Sequence, residues 1–180
     1  MAIDRGYRIQ SGTTKTWKAS GGDATMTLAS LANAAARQGV KLDLANAIGN
    51  NTRAELYDVY LDIEMAATPT AGNTIDIYWA PSANATAATD NPANITGADA
   101  AYAGYSSNLT ASLPQLQYAG SLVLTTQVTS TVQKGYVGRF SPAHRYGSPV
   151  VVNNGGSATH SSDSNFQLRM VPVEGTGETT

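Results

Sequence analysis

The stretch Tyr57–Ala80, YDVYLDIEMAATPTAGNTIDIYWA, decides how the chain is read. Tyr57, Val59, Leu61, Ile63 and Met65 alternate with Asp58, Tyr60, Asp62 and Glu64. Successive side chains of a strand point to opposite faces, so this run carries one apolar face and one acidic, solvated face. Ile75, Ile77 and Trp79 alternate with Asp76 and Tyr78 in the same way. Between the runs lies Ala66–Asn73, where Pro69 presets φ for a turn and Gly72-Asn73 accepts positive φ at low steric cost. Two such strands joined by a loop of about eight residues predict an antiparallel hairpin. Val59, Leu61, Ile63, Ile75, Ile77 and Trp79 are its expected core residues.

On the N-terminal side, Thr25–Leu28 reads as a short strand. Leu28, Leu31, Ala32 and Ala35 fit one helical turn ended by Gly39, and Val40, Leu42 and Leu44 alternate as a further strand. Asn46–Thr52 is a turn cluster. On the C-terminal side, strands are predicted over Leu116–Val128, Thr131–Phe140, Val150–Val152 and Asn165–Val173. Gly135 and Gly138 predict a bulge or a close backbone approach in the second of these. Ser141–Pro149 reads as a proline-bounded loop, and Asn153–Gly156 is a strong turn signal. Pro81–Ala101 is a long polar loop with no period, of a kind that is often functional, and irregular sequence continues to Pro114. About eight strands with no regular helix predict an all-β fold, a two-sheet antiparallel β-sandwich of jelly-roll type. The expected organisation is an N-terminal arm or first strand over 1–20, a sandwich domain over 21–174 and a flexible tail over 175–180.

Composition agrees. Charged residues make up 13% of the 180-residue chain, against roughly 25% in an ordinary domain, and Thr, Asn and Gly, which take up much of the difference, are weak helix formers. With a net charge of −2 and no basic patch, the chain is not expected to bind nucleic acid. The absence of cysteine excludes disulfides and thiolate metal sites. No apolar run approaches the roughly 18 residues that span a bilayer, so no membrane partner is expected. MAIDRGYRIQSG lacks the apolar core of a secretory signal, which predicts a protein made in the cytoplasm.

The sequence carries no constellation that predicts catalysis, a cofactor or a metal. His160 lies among hydroxyls in Thr159–Ser164, but a triad needs a positioned base and an oxyanion hole rather than sequence neighbours. His144, in the proline-bounded loop, has no second histidine at ligand spacing and reads as a structural hydrogen bonder. Asp58, Asp62, Glu64 and Asp76 are weighed as an acid pair of the glycosidase kind and read instead as a solubilising face. Asp90, Asn91, Asn94 and Asp99 offer oxygens to calcium but lack the spacing of a calcium loop. Asn84, Asn94 and Asn108 match the glycosylation triplet by chance. The expectation is a non-enzyme. Four of the eleven basic residues fall in the first twenty positions of an acidic chain. Arg5, Tyr7, Arg8, Lys15, Trp17 and Lys18 are therefore the candidate partner-binding residues of an extended arm, since Arg and aromatic side chains are common interface anchors. The competing reading makes Thr13–Lys18 an ordinary first strand with Trp17 pinned on the core.

Two segments carry a family resemblance: Ala67–Ser82, ATPTAGNTIDIYWAPS, and Phe140–Asn153, FSPAHRYGSPVVVN. Together they resemble a family of small tailed-bacteriophage virion proteins, some of which look like capsid decoration (cement) proteins. The similarity runs from about Asp23 to Pro172. It implies a structural protein on the phage capsid surface that binds the major capsid protein and itself, as a trimer or dimer. Tail, collar or head-fibre placement is the alternative, with Tyr60, Tyr78 and Trp79 as a surface for a host glycan. Both motifs are turns and strands, and the resemblance transfers no catalytic residue.

Overall fold

The computed structural model describes residues 8–10, 12–45, 54–129, 131–162 and 164–175. Twelve strands run in chain order: β1 Arg8–Gln10, β2 Lys15–Lys18, β3 Ala24–Thr25, β4 Ala36–Gln38, β5 Leu42–Asp43, β6 Leu56–Glu64, β7 Thr74–Ser82, β8 Ala100–Tyr102, β9 Gln117–Val123, β10 Val132–Phe140, β11 Tyr146–Asn154 and β12 Gln167–Gly175. One helical turn, Leu109–Ser112, follows β8 and is capped by the Asn108 side chain on Ala111 N–H. Sheet 1 has the order β10-β6-β12-β2-β3, with β1 also beside β12; sheet 2 has the order β8-β4-β11-β7-β9, with β5 also beside β11.

The pairing is nested. Among the eight strands other than β1, β3, β5 and β8, the first pairs with the last (β2–β12), and β4 pairs with β11, β6 with β10 and β7 with β9, all antiparallel. That wrapping of eight strands into two sheets is the jelly-roll pattern.

The expected hairpin does not form. β6 lies in sheet 1 and β7 in sheet 2, and Ala66–Asn73 crosses between the sheets. Side-by-side pairing would put both apolar faces on one side of one sheet, still in need of a cover. Stacked face to face, as sandwich sheets are, they cover each other. Tyr57, Val59, Leu61 and Ile63 thus bury against Ile75, Ile77 and Trp79, each 2% exposed or less. The crossing is tied at its ends by Ala66 N–H to Ala158 O and Gly72 N–H to Leu124 O. Trp17 and Trp79 meet edge to face across the core at 5.9 Å between ring centroids.

The helical turn expected near Leu28–Ala35 is absent. Leu31 N–H donates to Thr159 Oγ1, Ala34 N–H to Asn153 O and Ser30 N–H to His160 O, so long-range acceptors take the groups a helix would use. The chain instead turns through positive φ at Ser30 and Ala34 and enters β4. β11 starts three residues before Pro149, which was expected to close a loop. A central proline is tolerated because its carbonyl alone is used, accepting from Gly39 N–H. The bulge expected near Gly138 is present, as a register shift between Tyr136 and Gly138. There β9 and β10 approach so closely that a methyl on Gly138 would collide with the Ala119 carbonyl.

A second, smaller apolar cluster lies outside sheet 2. Ala36, Ala80, Val150 and Val152 of the sheet pack with Ala93, Ile95, Tyr102 and Leu116 of the long excursion between β7 and β9. The excursion therefore covers the outer face of sheet 2 over β4, β11 and β7, and leaves Tyr118 of β9 exposed beside it. No described helix is long and apolar enough to cross a membrane.

Candidate partner-binding site

Alternation along the strands of sheet 1 sends Asp58, Tyr60, Asp62 and Glu64 of β6 outward. The register aligns Tyr136, Tyr60, Arg169 and Thr16 in one row and Lys134, Asp62 and Gln167 in the next. The bulge matters here. By simple alternation Gly138, not Arg139, would share the outward side with Tyr136. The extra residue shifts the phase and sets Arg139 opposite Asp58.

The groups so aligned lock one another. Arg139 grips Asp58 with two bonds, Nε to Oδ1 at 2.6 Å and Nη2 to Oδ2 at 2.8 Å. The Asp58 hydrogen bond raises the Arg139 pKa. Arg169 Nη2 donates to Asp62 Oδ1 at 3.0 Å, and Lys134 Nζ lies 3.8 Å from Oδ2 of the same carboxylate. The Arg169 guanidinium also sits over the Tyr60 ring, 5.5 Å from its centroid. Tyr60 meets Tyr136 edge to face at 5.6 Å, leaving Tyr136 53% exposed. Partial burial, and then the nearby Asp58 carboxylate, push the Tyr136 phenol upward. The face expected to be acidic and solvated is thus neutralised, and Asp62 and Glu64 are buried beneath their partners. Among the described residues no segment packs over it. The result is a flat, preorganised Tyr/Arg surface.

The residues singled out from sequence fall elsewhere. Trp17 is fully buried, with Nε1 donating to Val40 O, so it is a core residue and not an arm anchor. Lys15 and Lys18 flank it on β2, a strand inside sheet 1, so residues 15–18 take the first-strand alternative, with Trp17 on the core, rather than the arm. The bulk of an indole gains more by burial than by display on an arm. Arg8 opens β1 and pairs with Gly175, so the strand of the sandwich also reaches into the expected tail. Arg5 and Tyr7 lie outside the described residues, as do 176–180.

The weighed chemistries find no geometry. His160 Nδ1 accepts from the backbone N–H of Ser162, and Nε2 faces Glu64 Oε1 at 3.7 Å, so no described hydroxyl is held by the imidazole. Asp76 lies on sheet 2, bound to Ser121 and Asn154, away from the carboxylates of β6. His144 is exposed. Trp79 is core, and Tyr60 and Tyr78 lie on the outer sides of different sheets, so the three do not form one surface. Asp99 is held by Arg37 and Thr27, and among the described residues no cluster of acidic or histidine side chains could hold a metal.

The excursion does hold a cation. The ammonium of Lys41, a buried side chain, is surrounded by Ser82 Oγ at 2.8 Å and the carbonyls of Asn84, Thr86 and Thr89 at 3.0, 2.7 and 2.9 Å. Burial lowers the Lys41 pKa, and nearby Asp90 opposes the shift. Sequence reasoning missed this centre because its acceptors are main-chain oxygens, which no residue type announces. No family model, curated protein or solved structure matches the chain.

Proposed function

We propose that this chain is a structural protein of a tailed-phage virion, a decoration protein that lays the open face of sheet 1 on the outside of the capsid shell and stabilises it by protein–protein contacts, with self-association as a trimer or dimer. The observation that carries the reading is an asymmetry. Over β4, β11 and β7 the outer face of sheet 2 is covered by the chain's own excursion, with Tyr118 of β9 left exposed beyond it, whereas no described segment covers Tyr136, Tyr60, Arg139 and Arg169 on sheet 1. Tyrosine and arginine dominate interface energetics, and here their rotamers are fixed before binding. The resemblance at Ala67–Ser82 and Phe140–Asn153 supports the virion setting.

Three strands of nine residues, β10, β6 and β12, make a face of about 14 by 30 Å, roughly 430 Å². A standard interface takes roughly 800 Å² of each partner. The face alone is therefore suited to a modest affinity multiplied by many copies on a repeating shell. Co-sedimentation with empty shells tests this. Tyr136→Ala with Arg139→Ala is expected to weaken binding about 30-fold, the size of a hot-spot loss of about 2 kcal/mol. Unchanged binding would reject the face. The Tyr60–Tyr136 ring pair also favours a second reading, a tail, collar or head-fibre protein with a carbohydrate-binding surface, which predicts no shell binding at all.

A further inference from the structure

The charges on the open face of sheet 1 are layered. The carboxylates lie low: none of the side chains of Asp58, Asp62 and Glu64 is more than 14% exposed. The cations stand above them, with the side chains of Lys134, Arg139 and Arg169 at 67%, 39% and 35% exposed. The face is balanced by count, yet whatever approaches it meets the positive layer first. The layering follows from the strand order. The acids are carried on β6, between β10 and β12, and the longer side chains of those two neighbours reach over them. Asp62 takes Arg169 from the β12 side and Lys134 from the β10 side.

The cations are also spaced around an aromatic centre. Lys134 pairs with Asp62 and Arg139 with Asp58 across the β10–β6 ladder. Those acids are four residues apart on β6, a distance of about 14 Å along the strand. Tyr136 stands between the two cations, opposite Tyr60. Arg169 follows Tyr60 in the same row, two strands and about 10 Å from β10. The three cations therefore surround the Tyr60–Tyr136 ring pair. Aromatic side chains inside a polar rim are the anatomy of a protein interface. The Lys134 ammonium lies 3.8 Å from Asp62, beyond hydrogen-bond distance, so that carboxylate does not use its donors.

We infer that the open face docks on an acidic patch of its protein partner, with carboxylates meeting Lys134, Arg139 and Arg169 around an apolar or aromatic side chain seated on the tyrosine pair. The inference rests on the reading of this face as the capsid-binding surface and adds the chemistry of what it meets. Charge complementarity selects carboxylates. The layering selects a local patch over a polyphosphate. Each cation above a buried acid acts as a dipole, whose field fades faster with distance than that of a bare charge. A long polyanion would also meet the rest of a chain whose net charge is −2.

Two probes separate this inference from the capsid reading. The first is co-sedimentation of the full chain with empty shells at low and high salt. At low salt Lys134→Gln is expected to weaken binding about threefold and Lys134→Glu about tenfold, and both effects should shrink toward about twofold once salt screens the rim. Lys134 is exposed enough for both variants to keep their fold, which unchanged Tm values verify. The second probe is poly-L-glutamate, titrated into isotope-labelled chain at low salt and followed by amide NMR, with a DNA duplex in parallel. Poly-L-glutamate should shift the amides around Lys134, Arg139 and Arg169, and the duplex should bind more weakly. Shell binding that Tyr136→Ala reduces, but that neither salt nor Lys134→Glu changes, would overturn the inference and leave the capsid reading standing. Poly-L-glutamate shifts on this face without any shell binding would remove the capsid reading and uphold the acidic partner. No shifts with poly-L-glutamate, shifts confined to other surfaces, or tighter binding of the duplex would each overturn the inference.

Discussion

Replacing Lys41 with Met keeps the aliphatic stem and removes the ammonium from its four oxygens. Ser82 Oγ lies 3.1 Å from both Asn84 O and Thr89 O, and its single hydrogen can serve one of them. Thr86 O keeps the Thr89 N–H at 3.1 Å, so one carbonyl, that of Asn84 or of Thr89, loses its donor in a partly buried setting. One stranded acceptor at about 1–3 kcal/mol, with the lost ammonium bonds offset by the desolvation the ammonium no longer suffers, gives a loss of about 2 kcal/mol. For a domain of this size that is a fall of about 4–8 °C in Tm. The damage should be local, because the excursion packs in its own cluster outside sheet 2. Calorimetry measures the first effect. Hydrogen exchange measures the second, as faster exchange between Asn84 and Gly97 with the β6, β7 and β12 amides less affected. A Tm within about 1 °C of the parent, with unchanged protection in the excursion, would refute the view that the ammonium organises this segment.

Gly138→Val should cost about 1–3 kcal/mol by chemical denaturation, since any Cβ there meets the Ala119 carbonyl at the β9–β10 corner. Trp17→Ala should cost about 3–5 kcal/mol, because it empties the core beneath β2; an arm residue would cost almost nothing. Asp43 is held below the usual carboxylate range by its hydrogen bonds from Arg145. Below about pH 4 the unfolded chain therefore binds more protons than the folded one. Stability should fall as pH drops through the folded-state pKa, and Asp43→Asn should flatten that acid limb in melts taken between neutral and acidic pH.

The alternations around Val59 and Ile77 were legible because a strand with one buried face must repeat every two residues. The six core residues read from them are all buried. Which sheet each strand joins was not legible, because alternation gives a strand's inner face and says nothing of its neighbour. Hence β6 and β7 looked like a hairpin while facing each other across the core. Ala36–Gln38 and Ala100–Tyr102 were missed as strands because each is three residues long and held by sheet partners far away in sequence. The partner-binding residues were sought in Arg5 to Lys18 from a local excess of charge. The Tyr/Arg face depends instead on β6, β10 and β12 being neighbours and on a one-residue bulge that turns Arg139 outward.

The account rests on the sandwich working through its open face on a repeating shell. The most direct measurement is a reconstruction of the phage particle with the chain located in it. The account predicts copies distributed over the shell in numbers comparable to the capsid subunits, with Tyr136 and Arg139 of sheet 1 against the capsid protein and the excursion toward solvent. A few copies at a single vertex, or sheet 1 turned outward, would contradict it.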